Sequence, residues 1–283
     1  MSRSQLKARA ARIFVGGSPA KLSRPLKAGD LLAVEWTEEA PSELLPEDIP
    51  LSVVYEDERV IVVDKAQGMV THPGNGNRSG TLANALLYRL QAGAQAGATA
   101  PTRAGIVHRL DKDTSGLLIA AKDAEAQAYL AAQFKERTAH KEYIAVTRGI
   151  PKPASGRIEN RLGRDPRDRK RFAEVGEGGR IAITDYRLLF AYGNYGLVFL
   201  RPKTGRTHQL RVHLAGLGTP ILGDPIYGRK DRDFPEATLM LHALRLKVRL
   251  PGREEGALFK SAVPRRFKAL LAELERRYGK AAF

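Results

Sequence analysis

A chain of 283 residues can hold one large domain with a substantial core, or a small domain joined to a larger one. Its 47 lysines and arginines against 31 acidic residues give a net charge of +16, an excess that recurs along the chain. That implies a polyanionic partner but no activity, because a structural ribosome-binding protein carries the same balance. The lack of cysteine excludes disulfides, a thiolate nucleophile and sulfur-bound zinc; with no signal-peptide core and no stretch apolar over the ~20 residues of a membrane span, a soluble, unprocessed, cytoplasmic protein is expected.

Residues 2–36 read as a small basic module: a short basic helix, a strand at 13–15, the turn Gly16-Gly17, a basic stretch, the turn Gly29-Asp30 and an apolar strand over 31–36. Residues 37–50 turn acidic and carry three prolines, as a linker does. The expected organisation is a module over residues 1–38, a linker over 39–50 and a main domain over 51–283. Two β-branched strands, 53–55 and 60–64, flank a charged turn. Thr81 is placed to cap a helix over 82–90, and the small residues of 92–105 form a loop.

HRLDKDTSG, residues 108–116, leaves that loop and runs into a continuous apolar strand, 117–121, after which Asp123 caps an amphipathic helix over 124–137. Strands follow at 141–148, 185–190, 195–201 and 239–250, with a short helix at 207–214 and a closing helix at 264–278. Strands adjacent in sequence with occasional helices predict an α+β fold with a mixed, mainly antiparallel sheet. No glycine-rich phosphate loop follows a strand, so no nucleotide cofactor is expected.

Asp111 lies among Arg109, Lys112 and Asp113 in a polar loop beside an apolar strand. Mixed-charge loops of this kind are mostly solvated surface. The functional alternative is that an aspartate is ionised at neutral pH and attacks without a base to activate it. Asp113 is two residues away and points elsewhere on a strand or a helix, so a glycosidase-like carboxylate pair has no local support. Thr207 and Arg211 are four apart and share a face if the segment is helical. His208 and His213 are five apart, a rotation of about 140° on a helix, which rules them out as a metal pair; no metal is expected. Tyr143 reads most commonly as a half-buried core tyrosine, and the functional alternative is a platform for a base. The basic run over 164–171 suits a solvated loop or a phosphate contact.

HRLDKDTSGL, KEYIAV, TGRTHQLRVH and PILGDPIYG, with THPG at residues 71–74, occur in the order and spacing of the RluA-type pseudouridine synthases. From residue 51 to residue 280 the chain resembles that family, most nearly its large-subunit ribosomal RNA enzymes. The resemblance implies a catalytic domain with a central RNA-binding cleft, a monomer, no cofactor, and an isomerisation of uridine to pseudouridine in RNA. It gives Asp111 the nucleophile's role, Arg109 that of displacing the target nucleotide, and Tyr143 that of stacking on the base. Arg211 pairs with the aspartate and Leu210 packs near the base, with His108 and Thr207 as further substrate-binding positions. Residues 2–36 are similar to the later part of an S4 RNA-binding module whose first helix is cut short. Transfer RNA as the substrate, and a non-catalytic RNA-binding or ribosome-assembly protein, are the alternatives.

Overall fold

The structure, a computed structural model, describes residues 12–35, 44–74, 76–92, 102–168 and 171–283. The basic helix expected at the start, the first part of the acidic linker and part of the basic run lie outside the described residues. The chain divides into two compact units, Met1–Glu43 and Leu44–Phe283.

In the smaller unit β1 (Arg12–Val15) pairs antiparallel with β2 (Ser18–Ala20) and β3 (Leu32–Glu35), in the order β2-β1-β3. Gly16 and Gly17 make the β1–β2 turn at φ 58° and 79°, values that favour glycine. The strand β2 falls in a stretch too basic and too short to announce itself in the sequence.

The larger unit is built on one sheet. Its first strands are β4 (Ser52–Glu56), β5 (Val60–Lys65) and β6 (Ser115–Ala121), followed by β7 (His140–Arg148), β8 (Ser155–Arg164) and β9 (Phe172–Glu174). They are joined by β10 (Arg180–Tyr192), β11 (Tyr195–Pro202), β12 (Leu241–Arg249), β13 (Gly256–Lys260) and β14 (Ala281–Ala282). The order is β4-β5-β6-β12-β7-β11-β10-β8-β9, with β13 on β12 and β14 on β10. Within this sheet β6 and β12 run parallel, and the other strand neighbours are antiparallel. The mixed, mainly antiparallel sheet expected from the sequence is the one observed. The strands β8, β9 and β13 were not foreseen, because SGRIENRLGR and its neighbours carry too few apolar residues to show a period of two.

Four α-helices complete the described unit: α1 (Leu82–Ala92), α2 (Ala124–Glu136), α3 (Gln209–Gly216) and α4 (Arg265–Tyr278). Every residue of β6 is buried because its two faces feed separate cores. Leu117, Ile119 and Ala121 pack with Ala126 and Leu130 of α2, whereas Leu118 and Ala120 pack with Leu82 and Leu86 of α1. Asp123 caps α2 by accepting the Ala126 N–H at 2.8 Å, as its sequence position implies. Residues 44–50 lie against this unit: the Leu45 carbonyl accepts a bond from Asn84 Nδ2 at 2.7 Å, and the Glu47 carboxylate accepts the Gly80 N–H. No helix among the described residues is long and apolar enough to cross a membrane.

Candidate active site

HRLDKDTSG enters β6 at the seam where the two arms of the sheet meet. Gly116 pairs there with Ala243 of β12 at φ 117°, and a Cβ on it would lie 2.2 Å from the Ala243 carbonyl oxygen. No other residue fits that approach. The loop ahead of the seam is pinned from behind. Lys65 is 1 % exposed, and its Nζ donates to the carbonyls of Ala66 (2.9 Å), Met69 (2.7 Å) and Lys112 (3.1 Å). Thr71 Oγ1 donates to the Leu110 carbonyl at 2.7 Å, and the Thr114 N–H closes a turn onto the Asp111 carbonyl at 3.1 Å. The irregular backbone is thereby satisfied inside the protein, and Asp111 emerges half-buried at its tip.

The opposite wall is the end of β11, the turn after it and α3. Gln209 holds that turn: its Oε1 accepts from Thr204 Oγ1 (2.7 Å) and the Arg206 N–H (3.0 Å), and its Nε2 donates to the Ile183 carbonyl and to Thr184. The helix starts at Gln209 and not at Thr207, because His208 takes a left-handed backbone. The shared helical face expected for Thr207 and Arg211 is therefore absent. His213 turns into the core between Thr184 and Asn160, and burial pulls its pKa down to about 4.

A single cavity brings together Arg109, Asp111, Tyr143, Thr207, Leu210 and Arg211. Arg211 is 4 % exposed and puts Nη1 3.6 Å from Asp111 Oδ2. Its closer partner is Asp224, which takes Nε and Nη2 in a fork at 2.7 Å each. Asp224 also accepts the N–H groups of Ile226 and Tyr227 at 2.9 and 3.0 Å. Burial pushes the Asp224 carboxyl up, but Arg211 and those two N–H groups more than offset it and hold its pKa below the ordinary value. Tyr143 is buried, and burial together with the Asp111 charge raises its phenol well above the usual range. Leu210 lies beside it on the cavity wall.

His108 is not brought into this cavity. Its ring stacks on Phe134 at 4.4 Å, its Nε2 accepts the Ile119 N–H at 3.1 Å, and burial, with Lys141 nearby, drops its pKa to about 3. It is a neutral, half-buried histidine that supports the strand from behind. Four residues of the site had no assigned role in the sequence. Asp224 and Tyr227 sit in PILGDPIYG, where an aspartate inside an apolar run is the signal of a buried, paired carboxylate. Tyr227 lies under the Arg211 guanidinium at 5.1 Å. His208, weighed only as a metal ligand, lines the cavity, as does Lys141, whose pKa burial lowers to about 8. Among the described residues no group of three or more His, Cys, Asp and Glu is placed to hold a metal ion.

A family model described as RNA pseudouridylate synthase matches residues 59–216. The chain is 42% identical over 277 residues to a Borreliella burgdorferi protein named ribosomal large subunit pseudouridine synthase D, an alignment spanning 96% of this chain and 85% of that protein. A Pseudomonas aeruginosa protein of the same name is 38% identical over 275 residues, 93% of this chain and 84% of its own. Two solved human structures, RNA pseudouridylate synthase domain containing 4 and domain containing 1, match with TM-scores of 0.63 and 0.62 at 27% and 28% identity. They cover 79% and 87% of this chain, and 93% of each of theirs.

Proposed function

The chain belongs to the RNA pseudouridylate synthase family, and from that premise we propose that Asp111 is its nucleophile and that it acts on uridines of large-subunit ribosomal RNA. The observation that carries the first part is the Asp111 carboxylate, 3.6 Å from a buried arginine in a cavity walled by Tyr143 and Leu210. Arg211, locked by Asp224, presents a fixed positive charge to the carboxylate. The relatives named ribosomal large subunit pseudouridine synthase D support the ribosomal substrate.

The target uridine leaves its stack at a cost of a few kcal/mol, roughly, which contacts in the cavity offset. Arg109, exposed at the rim, fills the vacated place, and Thr207 contacts the strand beside it. Tyr143 and Leu210 pack against the uracil. Asp111 then acts either at C6 of the base or by taking a proton from the ribose, and both routes need the same carboxylate. The N1–C1′ bond breaks, the base turns while bound, C5 bonds to C1′, and the C5 proton is lost while N1 gains one. Nothing is oxidised and no group is imported. The small basic unit serves as an accessory RNA-binding module of S4 type.

The test is tritium release from RNA labelled at uracil C5. Large-subunit ribosomal RNA should release it, and Asp111→Asn should abolish release while leaving RNA binding intact. Release that persists in Asp111→Asn would overturn the nucleophile. Release from transfer RNA with ribosomal RNA inert would overturn the substrate.

A further inference from the structure

His208 combines an unfavourable backbone with a tightly held ring. It sits directly before α3 at φ 56° and ψ 15°, a left-handed conformation that a residue with a β-carbon adopts at a cost and that asparagine and glycine tolerate best. Such outliers collect where a side chain must point in one particular direction. The ring packs edge-on against Phe172 of β9 and against Tyr227, with centroids 5.8 and 5.5 Å away. Its Nδ1 is 2.8 Å from the Tyr227 hydroxyl, which itself accepts the Phe172 N–H at 2.8 Å. Its Nε2 lies 4.0 Å from Asp111 Oδ2.

These partners accommodate a ring proton on Nε2. Burial is the largest influence on the ring; Asp111 and Asp224 favour its charged form, Arg211 and Arg109 oppose it, and the net direction is downward, so the ring is neutral. One nitrogen then carries the hydrogen. Phe172 occupies one lone pair of the Tyr227 hydroxyl, whose own proton is able to turn to Nδ1. In that tautomer the hydrogen stands on Nε2, the side that faces Asp111.

We infer that His208 is a positioning residue for Asp111: its Nε2–H closes on Oδ2 when RNA fills the cavity and fixes the rotation of the carboxylate. Catalytic hydrogen bonds that are long in the free enzyme commonly tighten in the complex. Arg211 approaches the same oxygen, at 3.6 Å. Both holds therefore fall on Oδ2 and leave Oδ1 as the reacting oxygen. This inference rests on Asp111 being the nucleophile.

Two substitutions separate the roles of the two ring nitrogens. In His208→Gln the amide nitrogen reaches the place of Nε2 and keeps the donor to Asp111. In His208→Asn the amide reaches only the place of Nδ1, although asparagine suits the left-handed backbone better. Tritium release by the full chain, with kcat and KM separated, and urea denaturation of each variant are the measurements. His208→Gln should stay close to the wild type. His208→Asn should lose roughly 10–100-fold in kcat, the worth of one hydrogen bond to a charged group, with KM unchanged. It should nevertheless be at least as stable as His208→Gln, so activity and stability move in opposite directions. Equal kcat in the two variants, at any level, or a loss confined to KM, overturns the inference. A wild-type chain that releases no tritium, or an active Asp111→Asn, defeats the reading of Asp111 instead.

Discussion

The two arginines that flank Asp111 sit in opposite surroundings. Arg211 is 4 % exposed, forked onto Asp224 and laid over the Tyr227 ring. Arg109 is exposed, two residues from the aspartate on the same loop. One charge is fixed before any substrate arrives, and a charge of that kind stabilises a reacting group without reorganisation. The other, exposed, keeps its side-chain freedom. Identical side chains thus stand in two different states, one fixed and one mobile, and burial decides which.

The largest blow to this contrast should come from Asp224→Ala, which strands a guanidinium inside the wall. Removing one partner of a buried pair costs about 3–5 kcal/mol, to be read from urea denaturation. A loss no larger than that of a surface substitution would mean that Arg211 is not fixed. Next comes Arg211→Lys, which keeps the charge but loses the planar fork. Turnover should fall roughly 10–100-fold with RNA binding intact; an equal loss of binding would make Arg211 a phosphate contact.

Acid should then distinguish the interior from the rim. His213 and His242 are held near pKa 4, and His108 near 3, against 6.5 for a free ring. The unfolded chain therefore binds more protons than the folded one between those values, and stability falls as pH drops from 6.5 towards 4. The slope approaches about 1.4 kcal/mol per pH unit for each histidine. A flat profile of melting temperature over that range would show that these rings are not neutral and buried. The smallest effect on folding should be that of Arg109→Ala, within about 0.5 kcal/mol. Its effect should appear in RNA affinity, as a salt slope reduced by about 1.

The parts of this arrangement that the sequence discloses are those with local signals. Asp123 announces the start of α2, the unbroken apolar run of β6 announces a central strand, and four motifs in fixed order point to Asp111, Tyr143 and Arg211. What stays hidden is set by distance and backbone. Nothing local says that Arg211 is held by a carboxylate thirteen residues on, and a helix-face argument places Thr207 inside a helix that His208 delays. His108 reads as part of the site because it adjoins Arg109. Its ring turns the other way, to Phe134, because a partner 26 residues away is better at covering it than the cavity is.

Lys65 has a consequence of its own. The loop that presents Asp111 is neither strand nor helix, so its carbonyls must find donors outside any regular ladder. From one atom Lys65 donates to Lys112 in that loop and to Ala66 and Met69 in the turn that follows β5. An ammonium has three protons splayed like the legs of a tripod, and here each leg has a foothold. A flat guanidinium does not reproduce that geometry, and an apolar side chain would take this donor from all three carbonyl oxygens, leaving Lys112 only its bond from the Gly68 N–H. The joint that carries the reactive loop thus depends on valence as much as on volume.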